Sequence, residues 1–160
     1  MTNTSPPAAQ VWSPATRTTF LRQMRIPLRL AVVTSGGWPL VMSLWYLYEN
    51  ERLYCATQRT AKIVAHLRRD PRCAFEVAGD QPPYRGVRGR GKASISPTGG
   101  AEVLTRLLER YLGGTSSALA KRLLAHSADE VVIEIEPVAV TTWDYTARMR
   151  GSLLDYHTTP

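Results

Sequence analysis

The sequence predicts an α+β fold that is mainly β: an antiparallel barrel of about six strands with helices set between them. Three observations predict it. Short branched or aromatic runs follow one another with tight turns between, at residues 28–34, 38–48 and 52–57. Alternating runs return at 72–77, 84–96 and 131–143. Apolar spacing of three to four residues is confined to separated stretches, and these do not alternate regularly with the strands as they would in a doubly wound sheet.

The elements can be justified in order. Residues 1–12, rich in Thr, Ser, Pro and Ala, read as a loose N-terminal arm. Ser13-Pro14 is a helix start, a hydroxyl cap followed by a proline whose missing N–H is not needed in the first turn. Phe20, Leu21 and Met24 then share a face, and Pro27 closes the segment. Ser35-Gly36-Gly37 reads as a hairpin turn and Glu49-Asn50-Glu51 as a second one. Thr60, Ile63, Val64 and Leu67 fit a short helix closed by Asp70-Pro71. In the next strand Cys73, Phe75 and Val77 oppose Ala74 and Glu76. The strand after it sets Val87, Gly89, Gly91 and Ala93 against Arg88, Arg90, Lys92 and Ser94, small residues that let something approach the backbone closely. Gly99-Gly100 opens a helix with the stripe Val103, Leu104, Leu107, Leu108 and Tyr111. Gly113-Gly114 breaks it, and a further short helix precedes the last strand. The domain is expected over 13–149, with 150–160 as a C-terminal tail.

Composition narrows the function. A chain of 160 residues with 44% hydrophobic and 21% charged residues suits one globular domain. No apolar run approaches the ~18 residues of a spanning helix, and the start of the chain lacks the pattern of a signal peptide. A cytoplasmic protein with no membrane partner is expected. Cys55 and Cys73 are too few for a disulfide framework or a four-ligand zinc site, and His66, His126 and His157 show no ligand spacing, so no metal is expected. The net charge is +7. Nine bases against three acids between Arg59 and Lys92 carry most of it, which favours phosphate-bearing partners.

The most informative segment is Thr57-Gln58-Arg59-Thr60-Ala61-Lys62, where a strand gives way to a helix within a few residues. Two hydroxyls, two cations and first-turn N–H groups can converge there on one phosphate. On spacing alone, Thr60 as a plain helix cap with Arg59 and Lys62 in solvent is the commoner explanation of the pattern. Trp38, Trp45 and Trp143 are likewise open between ring stacking and ordinary packing.

Here the sequence resembles a known group. Thr-x-x-Thr-x-Lys leading to Leu67-Arg68-Arg69-Asp70-Pro71-Arg72 is followed by an alternating strand and then Val87-Arg88-Gly89-Arg90-Gly91-Lys92-Ala93. Together with Pro39 to Trp45, Trp143-Asp144-Tyr145 and Arg148-Met149, this is similar to the flavin-binding split-barrel superfamily. That group holds pyridoxamine-phosphate oxidases and related flavin- or deazaflavin-dependent oxidoreductases. The resemblance implies a split barrel working as a homodimer, and FMN or the deazaflavin F-420 as cofactor. It implies a phosphate grip at Thr57, Arg59, Thr60 and Lys62, and a ring lying along Met42, Ser43, Leu44 and Trp45. Arg88 and Trp143 of a second copy would close the pocket. Ala61 departs from the family pattern, where a second cation is usual, and the C-terminal tail lacks a pyridoxal-phosphate motif.

The expected function is therefore an oxidoreductase that exchanges a hydride between the bound cofactor and a small organic substrate, with no side chain singled out as acid or base. The alternative is a cofactor- or haem-binding protein without turnover. A nucleic-acid-binding barrel ranks below both, and no nucleic-acid partner is expected.

Overall fold

The computed structural model describes residues 11–149. The arm at 1–10 and the tail at 150–160 lie outside the described residues. Seven strands form one antiparallel sheet: β1 (Leu28–Val33), β2 (Pro39–Leu44), β3 (Leu47–Glu49), β4 (Arg52–Gln58), β5 (Arg72–Ala78), β6 (Arg85–Ser96) and β7 (Glu130–Asp144). Their order is β2-β1-β5-β6-β7-β4-β3. Consecutive strands β2 and β3 thus stand at opposite edges, and the curled sheet does not close on itself. Helices α1 (Pro14–Gln23), α2 (Lys62–Arg69), α3 (Gly100–Leu112), α4 (Ala118–Leu124) and α5 (Thr146–Met149) complete the domain.

Seven strands replace six because the run 38–48 is two strands rather than one. Trp45 and Tyr46 carry the chain from one sheet edge to the other. Tyr46 is fully buried, and its hydroxyl donates to the carbonyls of Leu21 (2.8 Å) and Met24 (3.2 Å) at the end of α1. The Trp45 ring stacks on Tyr111 of α3, with centroids 5.0 Å apart and planes 7° from parallel. Tertiary partners therefore break a strand that local composition would have continued. Arg110 reinforces the same corner, giving hydrogen bonds to the carbonyls of Arg22, Leu21 and Met24.

The alternation in the sequence maps onto two faces. Inward lie Leu28, Leu30, Val32, Phe75, Val77 and Val87, all buried, with α1 and α2 packed against them. A side chain at Gly89 would collide with the Phe75 ring and the Ala139 carbonyl, and one at Gly91 with the Glu136 carbonyl. What approaches these glycines is the chain's own core ring and neighbouring strand. A bulge on β7 sets Arg90 opposite Ala139 and Gly91 opposite Pro137, leaving Val138 unpaired. Trp12, expected in the arm, is anchored: its ring meets Phe20 at 4.9 Å, its backbone N–H donates to Thr142 Oγ1, and its indole N–H donates to Asp144. Among the described residues no helix is long and apolar enough to cross a membrane.

Candidate functional site

The β4–α2 junction is built without a side-chain cap. After Gln58 the chain turns, Ala61 N–H donating to the Gln58 carbonyl at 2.9 Å, and α2 starts at Lys62. Ser13 caps α1 and Ser117 caps α4, but Ala61 offers α2 no side-chain acceptor. Thr60, expected as the alternative cap, lies one residue too early and makes no cap bond. In the first turn of α2 the Val64 N–H donates to the Ala61 carbonyl at 3.0 Å, while the Lys62 and Ile63 N–H groups take no side-chain cap and are left for an external acceptor. Thr57 is half-buried, while Thr60 and Lys62 are exposed. Among the described residues Lys62 has no ion-pair partner within 4.0 Å, so its ammonium is available beside the positive end of the helix.

Arg59 is differently placed. Its guanidinium lies 3.6 Å from Asp129 and donates to the Ala128 carbonyl, and its backbone N–H donates to the Asp129 carbonyl. It braces the 3-10 turn Ser127–Asp129 and must swing away to reach a ligand at the junction. Of the two expected cations, Lys62 is the free one.

β2 is an edge strand, so part of its backbone is unpaired by the sheet. Met42 and Leu44 turn inward and pack against the main core, Ser43 points outward and is exposed, and Trp45 leans on α3. Along 42–45 the groups left open are therefore the Ser43 hydroxyl and backbone N–H and C=O groups. The Met42 and Leu44 side chains belong to the core.

The outward face carries a groove of about 620 Å³ crossing β2, β1, β5, β6 and β7. Strand register lays it out in rows. Ser43, Arg29, Glu76, Arg88 and Thr141 form one row, and Val41, Ala31, Ala74, Arg90 and Ala139 the next. Arg29 pairs with Glu76 at 3.8 Å, whereas Arg88 and Arg90 have no ion-pair partner among the described residues. The groove is therefore a shallow trough floored by small apolar side chains with cations on its walls. Of the expected site residues, Ser43 and Arg88 fall in these rows. The rest were legible as outward positions of alternating strands, but the pairing that aligns them across five strands was not.

Trp143 lies over Gly86, where a side chain would meet its ring at 2.9 Å, and its indole tilts against Tyr145 at 5.4 Å. Its Nε1–H is enclosed by protein and has no acceptor among the described residues. In one protomer Trp143 is far from the junction. Thr57 pairs with Val131 and Gly86 with Trp143, so the two sites are twelve residues apart along β7, about 40 Å of extended strand. Arg88, opposite Thr141, stands ten residues from the same point. The expected site residues thus fall into separate groups: the junction, the β2 edge, the groove and the Trp143 corner.

The titratable groups with displaced pKa values lie outside the groove. Burial pushes the Cys55 thiol far up and that of Cys73 up to about 11, and burial also raises the Tyr46 hydroxyl. Arg72 beside Asp70 holds that carboxyl down at about 2. None of these groups is placed to shuttle a proton in the groove, so the surface is suited to binding and orienting.

Comparison with known proteins agrees with this architecture. The family model described as pyridoxamine 5'-phosphate oxidase matches residues 18–144. Among solved structures, a conserved hypothetical protein from Mycobacterium tuberculosis is 26% identical with a TM-score of 0.73, covering 89% of this chain and 91% of its own. An F-420 reductase is also 26% identical, with a TM-score of 0.65 and coverage of 75% and 92%. A FAD-binding protein from Mesorhizobium loti shares the fold at 23% identity, TM-score 0.59 and coverage of 85% and 96%. No curated protein matches the chain. With an open antiparallel barrel, an uncapped strand-to-helix junction and a family match over most of its length, the chain belongs to the pyridoxamine 5'-phosphate oxidase family.

Proposed function

We propose that the protein is a flavin- or deazaflavin-dependent oxidoreductase, acting as a homodimer on a small organic substrate. The observation that carries this reading is the β4–α2 junction, an uncapped helix start flanked by the free Lys62 and the hydroxyls of Thr57 and Thr60. That donor set fits a phosphate dianion: the uncapped Lys62 and Ile63 N–H groups, a cation beside them, and no carboxylate paired with Lys62 among the described residues. FMN and F-420 both carry such a phosphate. The F-420 reductase among the similar structures supports including the deazaflavin, and the exposed Arg68 on α2 adds charge suited to its anionic tail.

When bound, the cofactor supplies hydride chemistry. The chain's residues bind and orient it. Lys62 and the first turn of α2 hold the phosphate, while Ser43 and the free backbone of the β2 edge face the polar rim of the ring. Because Arg88 and Trp143 stand so far along β7 from the junction, they serve the site of the second protomer. The outward groove, with its small floor residues, is the surface on which the two copies meet. Among the described residues no histidine lines the groove, so the haem-binding alternative has no ligand there.

The test is an absorbance spectrum of the purified protein, as isolated and then during titration with FMN and with F-420. Lys62→Ala should weaken binding of the favoured cofactor by about tenfold or more, as expected for loss of a charge-assisted hydrogen bond. Arg59→Ala, which breaks a brace rather than a contact, should have the smaller effect. Equal affinity in Lys62→Ala and the parent, or a strictly monomeric holo-protein in light scattering, would overturn the reading.

A further inference from the structure

A second cavity opens on the inner side of the barrel, away from the junction and separated from the outward groove by Phe75 and Ala139, which line both. It holds about 260 Å³ and lies between α1, the β3–β4 hairpin and the bulged stretch of β7. The bulge makes it: with Val138 unpaired beside Pro137, β7 bends away from the sheet and leaves a gap. Its deep wall is Leu21, Leu53 and Phe75, each at most 4% exposed. The volume lies below the usual range for cofactor-sized pockets, so its occupant is smaller than a flavin.

Three polar groups give this cavity a chemistry. Tyr48 is 7% exposed and lines it, and among the described residues its hydroxyl has no hydrogen-bond partner. That oxygen is not sealed off by protein, and the side chain that carries it lines the cavity. Arg17 from α1 and Glu51 from the hairpin stand at the rim, and neither has an ion-pair partner among the described residues. Glu51 is also held where its backbone is unfavourable. Asn50 and Glu51 form the two-residue turn between β3 and β4 with φ of 48° and 61°. Such a turn suits Asn at its first position and glycine at its second. A glutamate there retains a carboxylate at the cavity mouth at the expense of backbone comfort.

We infer that this pocket binds a small zwitterion with an apolar side chain, of the α-amino-acid class. Arg17 takes the carboxylate, assisted by the Tyr48 hydroxyl; Glu51 takes the ammonium; and Leu21, Leu53 and Phe75 cover the side chain. No bond is made or broken, and the site is independent of cofactor loading.

The experiment is calorimetric or NMR titration of the intact protein with L-phenylalanine and L-leucine. Phenylacetate and phenethylamine, each lacking one charged end, are run beside them. An amino acid should bind about tenfold or more tightly than either half-molecule, since each lost charged contact carries about that factor. Arg17→Ala should lower affinity for amino acid and phenylacetate alike. Tyr48→Phe, which removes only the hydroxyl, should lower it by a smaller factor. Glu51→Gly should relieve the turn and raise the melting temperature while abolishing the preference for phenylalanine over phenylacetate. Binding of none of the four compounds at about 10 mM, the weak end of measurable affinity, would overturn the assignment. So would half-molecules that bind as well as the amino acids, or variants that leave affinity unchanged.

Discussion

The two faces of β1, β5 and β6 use the same strands for opposite purposes. Inward, Leu30, Phe75 and Val87 are buried against one another and against the helices, and even the glycines are glycines because a core ring or a neighbouring carbonyl fills their space. Outward, one residue away at every step, stand Arg29, Arg88 and Arg90 over a floor of alanines and Val41, which is 61% exposed. The inner face is finished within one chain. The outer face is not: two of its cations are unpaired, and its apolar floor is open. On these strands the packed core and the open groove are thus separated by the period-two alternation of a strand rather than by distance along the sequence, and at Phe75 the inner face also borders a pocket.

The sharpest way to break this comparison is to truncate one residue on each side of adjacent strands. Phe75→Ala empties a ring-sized space inside the barrel and should cost about 3–5 kcal/mol of stability. Arg88→Ala removes an exposed charge with no ion-pair partner and should change stability by less than about 0.5 kcal/mol. Urea denaturation reads both. If Arg88→Ala proved as destabilising as Phe75→Ala in the isolated protomer, the outer face would be a structural surface and its assignment to binding would be lost.

A smaller effect tests where the inner face ends. Tyr46→Phe keeps the ring but removes the hydroxyl that donates to the carbonyls of Leu21 and Met24. It leaves two buried acceptors to Arg110 alone, and should cost about 1–3 kcal/mol. Near-neutrality would mean that Arg110 by itself holds the end of α1.

That corner also shows what the sequence could and could not reveal. The Ser13-Pro14 start of α1, the face of β5 and the glycine-bounded α3 were legible because each depends on local chemistry: a hydroxyl cap, a period of two, a left-handed Gly113. The break after Leu44 was not. Nothing in Leu44-Trp45-Tyr46-Leu47 is a turn residue, and the break is imposed by Tyr46 and Trp45 reaching partners more than twenty and more than sixty residues away. The β4–α2 junction was legible as a strand-to-helix turn rich in hydroxyls and cations, but not in how those cations are partnered. Arg59 and Lys62 look equivalent in the sequence, yet Asp129 and the Ala128 carbonyl, seventy positions on, occupy Arg59 and leave Lys62 free. The zwitterion pocket had no sequence signal, because it depends on a bulge in β7 meeting a turn between β3 and β4.

Glu130 is where the division between faces fails, and it provides the finest test. By alternation along β7 it points outward with Val132 and Glu134, yet it is only 7% exposed because α3 crosses the sheet there. Gly100 permits that crossing, since a side chain at this position would lie 2.2 Å from the Glu130 carbonyl oxygen. One carboxylate oxygen accepts from Gln58 Nε2, and the other is enclosed without a partner among the described residues. Burial therefore raises the Glu130 pKa above its ordinary value, the Gln58 bond opposing the shift only in part. Between those two values the folded protein holds a proton that the unfolded chain releases, so stability is greater on the acid side and falls as pH rises through the raised value. Glu130→Gln keeps an acceptor for Gln58 and carries no charge. It should gain stability relative to the parent as pH increases from about 4 to 8, with the two nearly matched at the acid end. Parallel denaturation curves across that range would show that the enclosed oxygen is solvated after all, and that α3 covers this end of the outer face less tightly than the inner face is covered.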